Sequence, residues 1–369
     1  MSRVKDFLKR EAVLCIAFLA AVISCFFVPP DGAYLKYIDL RTLALLYCLM
    51  VVVAGLRKAG SFTALAHFLC HRAGNLRLMS AVLVALCFFS SMLITNDVAL
   101  LTFVPFAVVV LGMAKREKEL VWVVVLQAVA ANLGSMLTPV GNPQNLYLYS
   151  RYGMSGGEFF SATAPVWCLS LLLVLGCCLL MKKEPVRVFL GEKPILLRKL
   201  LLFYSALFLL CLLVVFRLIR WPVMLALVLL LVGIFDRRTL LKADFLLLLT
   251  FVCFFIFAGN LARIDAVDRL LRHILTGREL FVGALCSQVI SNVPAALLLS
   301  GFTENARALL LGVNIGGLGT PVASLASLIA LKLYSHAEGA KTGAFLWRFS
   351  LVNFLLLAVL LAFAWIFLS

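Results

Sequence analysis

One carboxylate lies deep inside an apolar stretch of this chain: Asp97, in the run Ile94-Thr95-Asn96-Asp97. A lone carboxylate at membrane depth is costly when ionised and unpaired. It can hold a proton or pair with a cation, and either would tie the movement of a solute to an ion gradient. The plainer role is a structural acid satisfied by neighbouring backbone N–H groups. Beside it, Thr95 and Asn96 offer neutral donors and acceptors, and a second run, Ser291-Asn292-Val293-Pro294, offers the same types. Two further polar clusters share one pattern: NLGSMLTPVGNPQN from Asn132 to Asn145, and NIGGLGTPVASLAS from Asn314 to Ser327. Asn132 aligns with Asn314, Thr138 with Thr320 and Pro139 with Pro321, all at one offset. None of the four clusters contains Lys or Arg. An anion there would be held by dipoles, amides and hydroxyls, with or without a bound cation. The candidate substrate-binding residues are Thr95, Asn96, Asn132, Thr138, Gly141, Asn142, Ser291, Asn292, Asn314, Thr320 and Ser324. The candidate coupling residues are Asp97, Asn96 and Asn292. Asn96, Asn132, Asn292 and Asn314 could equally cap helices at the breaks.

These residues need elements that place polar groups inside a bilayer. The apolar run from about Leu120 to Tyr152 is too long for one straight span, because about 20 helical residues cross the hydrocarbon core. Its middle carries Pro139, Gly141 and Pro143. Pro removes a backbone donor and Gly weakens a helix. A backbone broken at membrane depth is tolerated only where it is buried in protein or lines a polar cavity. The stretch therefore reads as a discontinuous helix, and the run from about Ala306 to Tyr334 reads as a second one. Matching breaks in two halves point to the site of a secondary transporter. Half-helix N-termini favour anionic groups, and unwound carbonyls favour cations.

Composition agrees. Hydrophobic residues make up 64% of the chain and charged residues 14%, against about 45–50% and about 25% in soluble domains. The mean hydropathy is +1.10. The formal charge of +16 fits cytoplasmic loops rich in Lys and Arg. Nucleic acid is excluded as a partner, because no basic stretch is interleaved with a stacking platform. The 11 cysteines include no CxxC and mostly lie in apolar spans, so they form neither a disulfide framework nor a metal set. His67 and His71 are one helical turn apart with no matching carboxylate or Cys nearby, which argues against a metal site. Residues 1–11 are basic (Arg3, Lys5, Lys9, Arg10) and precede an apolar stretch, Ala12 to Val28. Val22-Ile23-Ser24-Cys25 looks like a lipoprotein processing box, but the following residues stay apolar, so a retained first span is expected.

The predicted architecture is an all-α membrane protein built as an inverted repeat. It has about nine full spans, two re-entrant hairpins and two broken helices. Residues 1–40 form the first span and loop, and 41–181 the first repeat. Residues 182–242 form a basic linker loop with two connecting spans, and 243–369 the second repeat. Each repeat reads span, interfacial helix, hairpin, broken helix, span. The block from Leu78 to Met113 is either two spans or a hairpin. Leu280 to Phe302 has arms of roughly 17 Å, too short to cross about 30 Å of hydrocarbon. Placing basic loops in the cytoplasm gives a multi-pass plasma (bacterial inner) membrane protein with its N-terminus inside and C-terminus outside. The bilayer is its surroundings.

The stretches TNDVALLTFVPF, LGSMLTPVGNPQN, SNVPAALLL and GGLGTPVASLASLIALKLY resemble the arsenite/anion permease group of the ion transporter superfamily, most of all its YbiR-like branch. The resemblance covers about residues 40–365. The related divalent anion–sodium symporters carry Ser-Asn-Thr at both hairpin tips, where sodium and a carboxylate are held. Asn96 and Asn292 match that pattern; Asp97 and Val293 depart from it, and the Asn-Asp pair is more like the arsenite permeases. The resemblance implies an elevator-type, homodimeric transporter of a small anion or of arsenite, driven by protons or sodium. It implies no cofactor beyond a possible sodium ion near Asn96, Asp97, Gly134 and Thr138. The alternative is a sodium/proton antiporter using Asp97. An enzyme is not expected: an aspartyl protease needs two facing carboxylates, and no histidine lies at membrane depth.

Overall fold

The computed structural model describes residues 11–114, 116–186, 195–337 and 339–368. The basic residues Arg3, Lys5, Lys9 and Arg10, part of the predicted linker loop, and Ser369 lie outside them. The described chain is helical, with a single isolated bridge between Asn75 and Pro185. Helices α1 (Ala12–Phe27) and α2 (Tyr34–Tyr37) come first. Then come α3 (Leu40–Lys58), α4 (Ser61–Cys70), α5 (Leu76–Ile94), α6 (Asn96–Met113), α7 (Glu117–Ser135), α8 (Pro143–Arg151) and α9 (Gly156–Leu179). Two connecting helices follow, α10 (Arg198–Val215) and α11 (Trp221–Leu240). The series ends with α12 (Phe245–Leu261), α13 (Asp265–Leu275), α14 (Glu279–Ile290), α15 (Asn292–Leu299), α16 (Ala306–Ile315), α17 (Leu325–Ser335) and α18 (Thr342–Leu368).

Local chemistry sets many of the starts. Asp39, Asn75, Asp244 and Asn305 each accept a backbone N–H of the helix they precede. Ser155 and Glu158 form a reciprocal capping box at α9, which satisfies two orphan donors. The order from α3 to α9 recurs from α12 to α18: long helix, short amphipathic helix, hairpin, broken helix, long helix. In the first hairpin α5 and α6 have 19 and 18 residues. In the second, α14 and α15 have 12 and 8, or roughly 18 and 12 Å of helix. The second hairpin is thus re-entrant by length alone.

Six described helices are long and apolar enough to cross a membrane alone: α3, α5, α6, α9, α10 and α18. Helices α11 and α12 qualify together, bent by 102°. The sequence count of nine differs for a physical reason. It joins the halves of each broken helix, takes α11 and α12 as two separate spans, and includes α1, whose 16 residues fall short by themselves. It also leaves out α5 and α6, whose length is that of full spans. Helix α11 runs past the expected end at Phe235, through a kink at Asp236 (φ −154°, ψ 56°). That carboxylate is tied to Lys58 at 2.8 Å, and accepts from Tyr204 Oη at 3.0 Å and Thr239 Oγ1 at 2.8 Å.

In helix α7 residues 120–136 are almost all buried, and it packs on α5, α6, α9, α17 and α18. The polar loops gather at two ends. At one, Lys58 meets Asp236, Arg116 meets Glu184 at 2.5 Å, Arg77 Nε donates to Met181 O, and Leu197 N donates to Ala59 O. At the other, Arg263 meets Asp31 at 2.8 Å, Arg217 donates to Gly153 O, Tyr152 to Thr303 O, and Arg307 lies over the Phe367 ring. The first group joins only loops that charge places inside, and the second only loops that it places outside. Phe367, near the end of the chain, belongs to the second end, while α1 starts from the first. A membrane-impermeant maleimide should therefore label Leu368→Cys in intact cells and Ile195→Cys only after permeabilisation. Labelling of both from one side would overturn this arrangement.

Candidate functional site

Both hairpins turn through a single residue, and both turns have the same backbone. Thr95 has φ 72° and ψ 153°, and Ser291 has φ 73° and ψ 154°. This region belongs almost entirely to glycine, and a residue with a side chain there stores about 1–3 kcal/mol of strain. The reversal is sharp enough that α6 starts at Asn96 and α15 at Asn292, directly after the turn. Asn96 and Asn292 are buried, and Asn96 Oδ1 accepts from Asp97 N at 3.0 Å.

The two broken helices hold each other by matched bonds. Asn132 of α7 reaches the second repeat: its Oδ1 accepts from Ser324 Oγ at 2.8 Å, and its Nδ2 faces Ser327 Oγ at 3.4 Å and Gly317 O at 3.3 Å. Asn314 of α16 reaches the first repeat: its Oδ1 accepts from Asn142 Nδ2 at 3.1 Å, and its Nδ2 donates to Asn145 Oδ1 at 2.6 Å. Ser324 and Ser327 stand in the second motif where Asn142 and Asn145 stand in the first, so the exchange is pseudo-symmetric. Thr138 and Thr320 are also equivalent. Thr138 Oγ1 donates to Met92 O of the first hairpin, and Thr320 Oγ1 donates to Gln288 O of the second at 3.0 Å. Gly134 admits the first hairpin, since a Cβ there would lie 2.0 Å from Phe88 O. Gly141 O accepts from Asn96 N at 3.2 Å, so a break and a tip are joined directly.

Four helix starts converge on one small cavity of about 10 Å³. Asn96 and Asp97 come from α6, Asn292 and Val293 from α15, and Pro143 and Gln144 from α8. Ser324 and Leu325 lead into α17, and Leu247 of α12 closes the wall. Each N-terminus carries about half a positive charge and unpaired N–H groups. Asn142 and Ser324 cap α8 and α17, accepting from Asn145 N at 2.9 Å and Ala326 N at 3.2 Å. No basic side chain lines the cavity. Asp97 Oδ1 is buried with no hydrogen-bond partner among the described residues.

Of the candidates read from the sequence, Asn96, Asp97, Asn292 and Ser324 line this cavity. Asn132, Asn142 and Asn314 stand behind it in the crossing network. Thr138 and Thr320 bind hairpin carbonyls, Gly141 binds the first tip, and Ser291 Oγ donates to Ala323 O at 3.4 Å. Thr95 forms the first turn. Gln144 belongs to the first polar cluster but not to the candidate binding residues, and Leu247 to neither, yet both line the cavity. Gln144 carries a usable signal, a polar residue directly after a helix-starting proline, whereas Leu247 sits in a uniformly apolar helix and carries none.

Paired broken helices and paired hairpins around one small, partly open cavity define a secondary membrane transporter of the ion-transporter type. The chain belongs to the CitMHS citrate transporter family, whose model matches residues 4–307. It is 33% identical over 333 residues to an uncharacterized transporter of Methanocaldococcus jannaschii, covering 89% of this chain and 90% of that protein. It is 31% identical over 358 residues to the inner membrane protein YbiR of Escherichia coli, covering 94% and 92%. A shorter match, 34% over 167 residues, joins it to the rice (Oryza sativa) silicon efflux transporter LSI3, covering 44% of this chain and 34% of that protein.

Two substitutions test the geometry. Thr95→Gly relieves the turn and should raise the melting temperature by an amount corresponding to about 1 kcal/mol; an unchanged or lower value would mean that the turn is unstrained. Gly134→Ala forces the first hairpin off α7 and should cost about 3 kcal/mol or more by overpacking, read as loss of monodisperse protein in detergent.

Proposed function

We propose that the protein is a proton-coupled secondary transporter of a small anion or arsenite-like oxyacid, with Asp97 as the proton carrier. The observation behind this reading is the convergence of four helix N-termini and one carboxylate on one cavity. Backbone N–H groups, the amide of Asn292 and the second amide hydrogen of Asn96, whose Nδ2 also donates to Asn132 Oδ1 at 3.2 Å, would donate to the oxygens of the solute. A second negative charge beside an ionised Asp97 is unfavourable in a site shielded from water. An anion would therefore enter with a proton on Asp97, whereas a neutral hydroxylated acid could bind beside the ionised carboxylate and release the proton. The rice relative, named for silicon efflux, supports a weakly acidic oxyacid; the citrate transporter family supports a carboxylate anion. The likeness of the Asn96-Asp97 pair to the arsenite permeases favours the oxyacid.

In this reading the hairpins and broken helices move as one elevator-like unit within a homodimer, in the inner membrane, with the N-terminus cytoplasmic and the C-terminus outside. The exposed apolar faces of α10 and α11, including Leu202, Leu209, Leu230 and Ile234, are available to lipid or to a second copy. A sodium/proton antiporter built on Asp97 is the weaker reading, because it would place a cation among four positive helix ends. The test is flux into proteoliposomes under an imposed pH gradient, with arsenite, silicic acid and small carboxylates. Wild type should follow the gradient, and Asp97→Asn should lose coupling while remaining folded. Coupling that survives Asp97→Asn would remove this residue from the mechanism.

A further inference from the structure

Unwinding a helix inside a bilayer frees carbonyl oxygens that need either a cation or a donor. The structure shows what occupies them here. At the first break, Asn145 Nδ2 faces Ser135 O at 3.3 Å, Met136 O at 3.2 Å and Thr138 O at 3.1 Å. At the second, Gln288 Nε2 faces Gly316 O at 2.8 Å and Leu318 O at 3.0 Å of the break, and Ala284 O of its own hairpin arm at 3.1 Å. Each amide nitrogen thus sits among three carbonyl oxygens, an arrangement that otherwise suits a small cation. The opposite end of each amide fixes which way round it lies. Asn145 Oδ1 accepts from Asn314 Nδ2, and Gln288 Oε1 accepts from Thr320 N at 2.9 Å. Gly319, at φ 100°, leaves room for this: a Cβ there would lie 2.1 Å from Gln288 Oε1.

The two amides are not symmetry mates. The position equivalent to Asn145 is Ser327, and the one equivalent to Gln288 is Met92, counted from the hairpin tips. The repeats reach the same arrangement from different places, one from the half-helix after the break and one from the hairpin arm. Thr138, at the first break, has both its oxygens engaged: its carbonyl with Asn145, its hydroxyl with Met92 O.

We propose that the side-chain amides of Asn145 and Gln288 stand where a coupling cation would sit at the two breaks, so that this transporter neither binds nor requires sodium. The proposal rests on the reading of the breaks as part of the transport site. It deepens that reading by leaving Asp97 as the coupling group.

The test uses the purified full-length protein, titrated with sodium chloride against choline chloride at constant ionic strength, with melting temperature and bound radioactive sodium as readouts. Wild type should show neither a melting shift nor saturable uptake. Gln288→Glu and Asn145→Asp each turn an oxygen toward three carbonyls. They should melt lower in choline and recover with sodium in a saturable way. Saturable sodium stabilisation of wild type would overturn the proposal, and so would folded variants that are blind to sodium. If neither variant folds, the wild-type titration alone decides. Flux enters none of these readouts, so failure of pH-driven transport would count against the proposed function and leave this result standing.

Discussion

A chain that breaks its helices inside a bilayer must find partners for every freed N–H and C=O within the protein. The rest of this structure depends on that constraint. Carbonyls unwound at the breaks are taken up by the amides of Asn145 and Gln288. N–H groups at the restarted helices are partly capped by Asn142 and Ser324. The crossing bonds of Asn132 and Asn314 make each break a support for the other. The polar centre is thus tied across both repeats.

Near-symmetry in the scaffold makes the asymmetry at the centre informative. The tips match within a degree or two in both backbone angles. Asn96 answers Asn292, and Thr138 answers Thr320. The residue after each tip asparagine differs in kind: Asp97 on one side, Val293 on the other, both lining the cavity. One ionisable group among four positive helix ends gives the cavity one place to take up or release a proton, with no second carboxylate among its lining residues. An apolar counterpart suits that role, because it neither bonds the carboxylate nor hydrates it.

Close approach is the other requirement. Glycines at the breaks let the hairpins touch the broken helices through backbone: Gly134 lies against Phe88 O, and a Cβ on Gly316 would lie 2.7 Å from Ala284 Cα. The threonine bonds to Met92 O and Gln288 O then hold each hairpin to its own break. Hairpin and broken helix are therefore joined within each repeat as firmly as the repeats are joined to each other. Long exposed apolar faces on α10 and α11 belong to the surrounding scaffold and not to this polar centre.

Residue type and spacing by themselves determined the class of fold and the place of the site. Runs of apolar residues interrupted by Pro139, Gly141 and Pro143, and again by the aligned motif at Pro321, read as broken membrane helices, because several breakers together at that depth need protein or a polar cavity around them. The lone Asp97 and the paired asparagines stood out because polar groups are costly at that depth. Loop charge also grouped the loops into the two ends that the structure shows. Tertiary structure alone decided which polar residues face the cavity and which bond the protein to itself. Asn132 and Asn314 are of the same type as Asn96 and Asn292, and Thr138 and Thr320 of the same type as Thr95. An asparagine reads identically whether its amide meets a solute, a helix end or another asparagine, and only the meeting of residues far apart in the chain separates these roles. The same holds for Gln288 and Leu247: Gln288, in a short hairpin arm, acquires its role only when that arm packs on the second break, and Leu247, in a uniform apolar helix, only when both repeats close around the cavity.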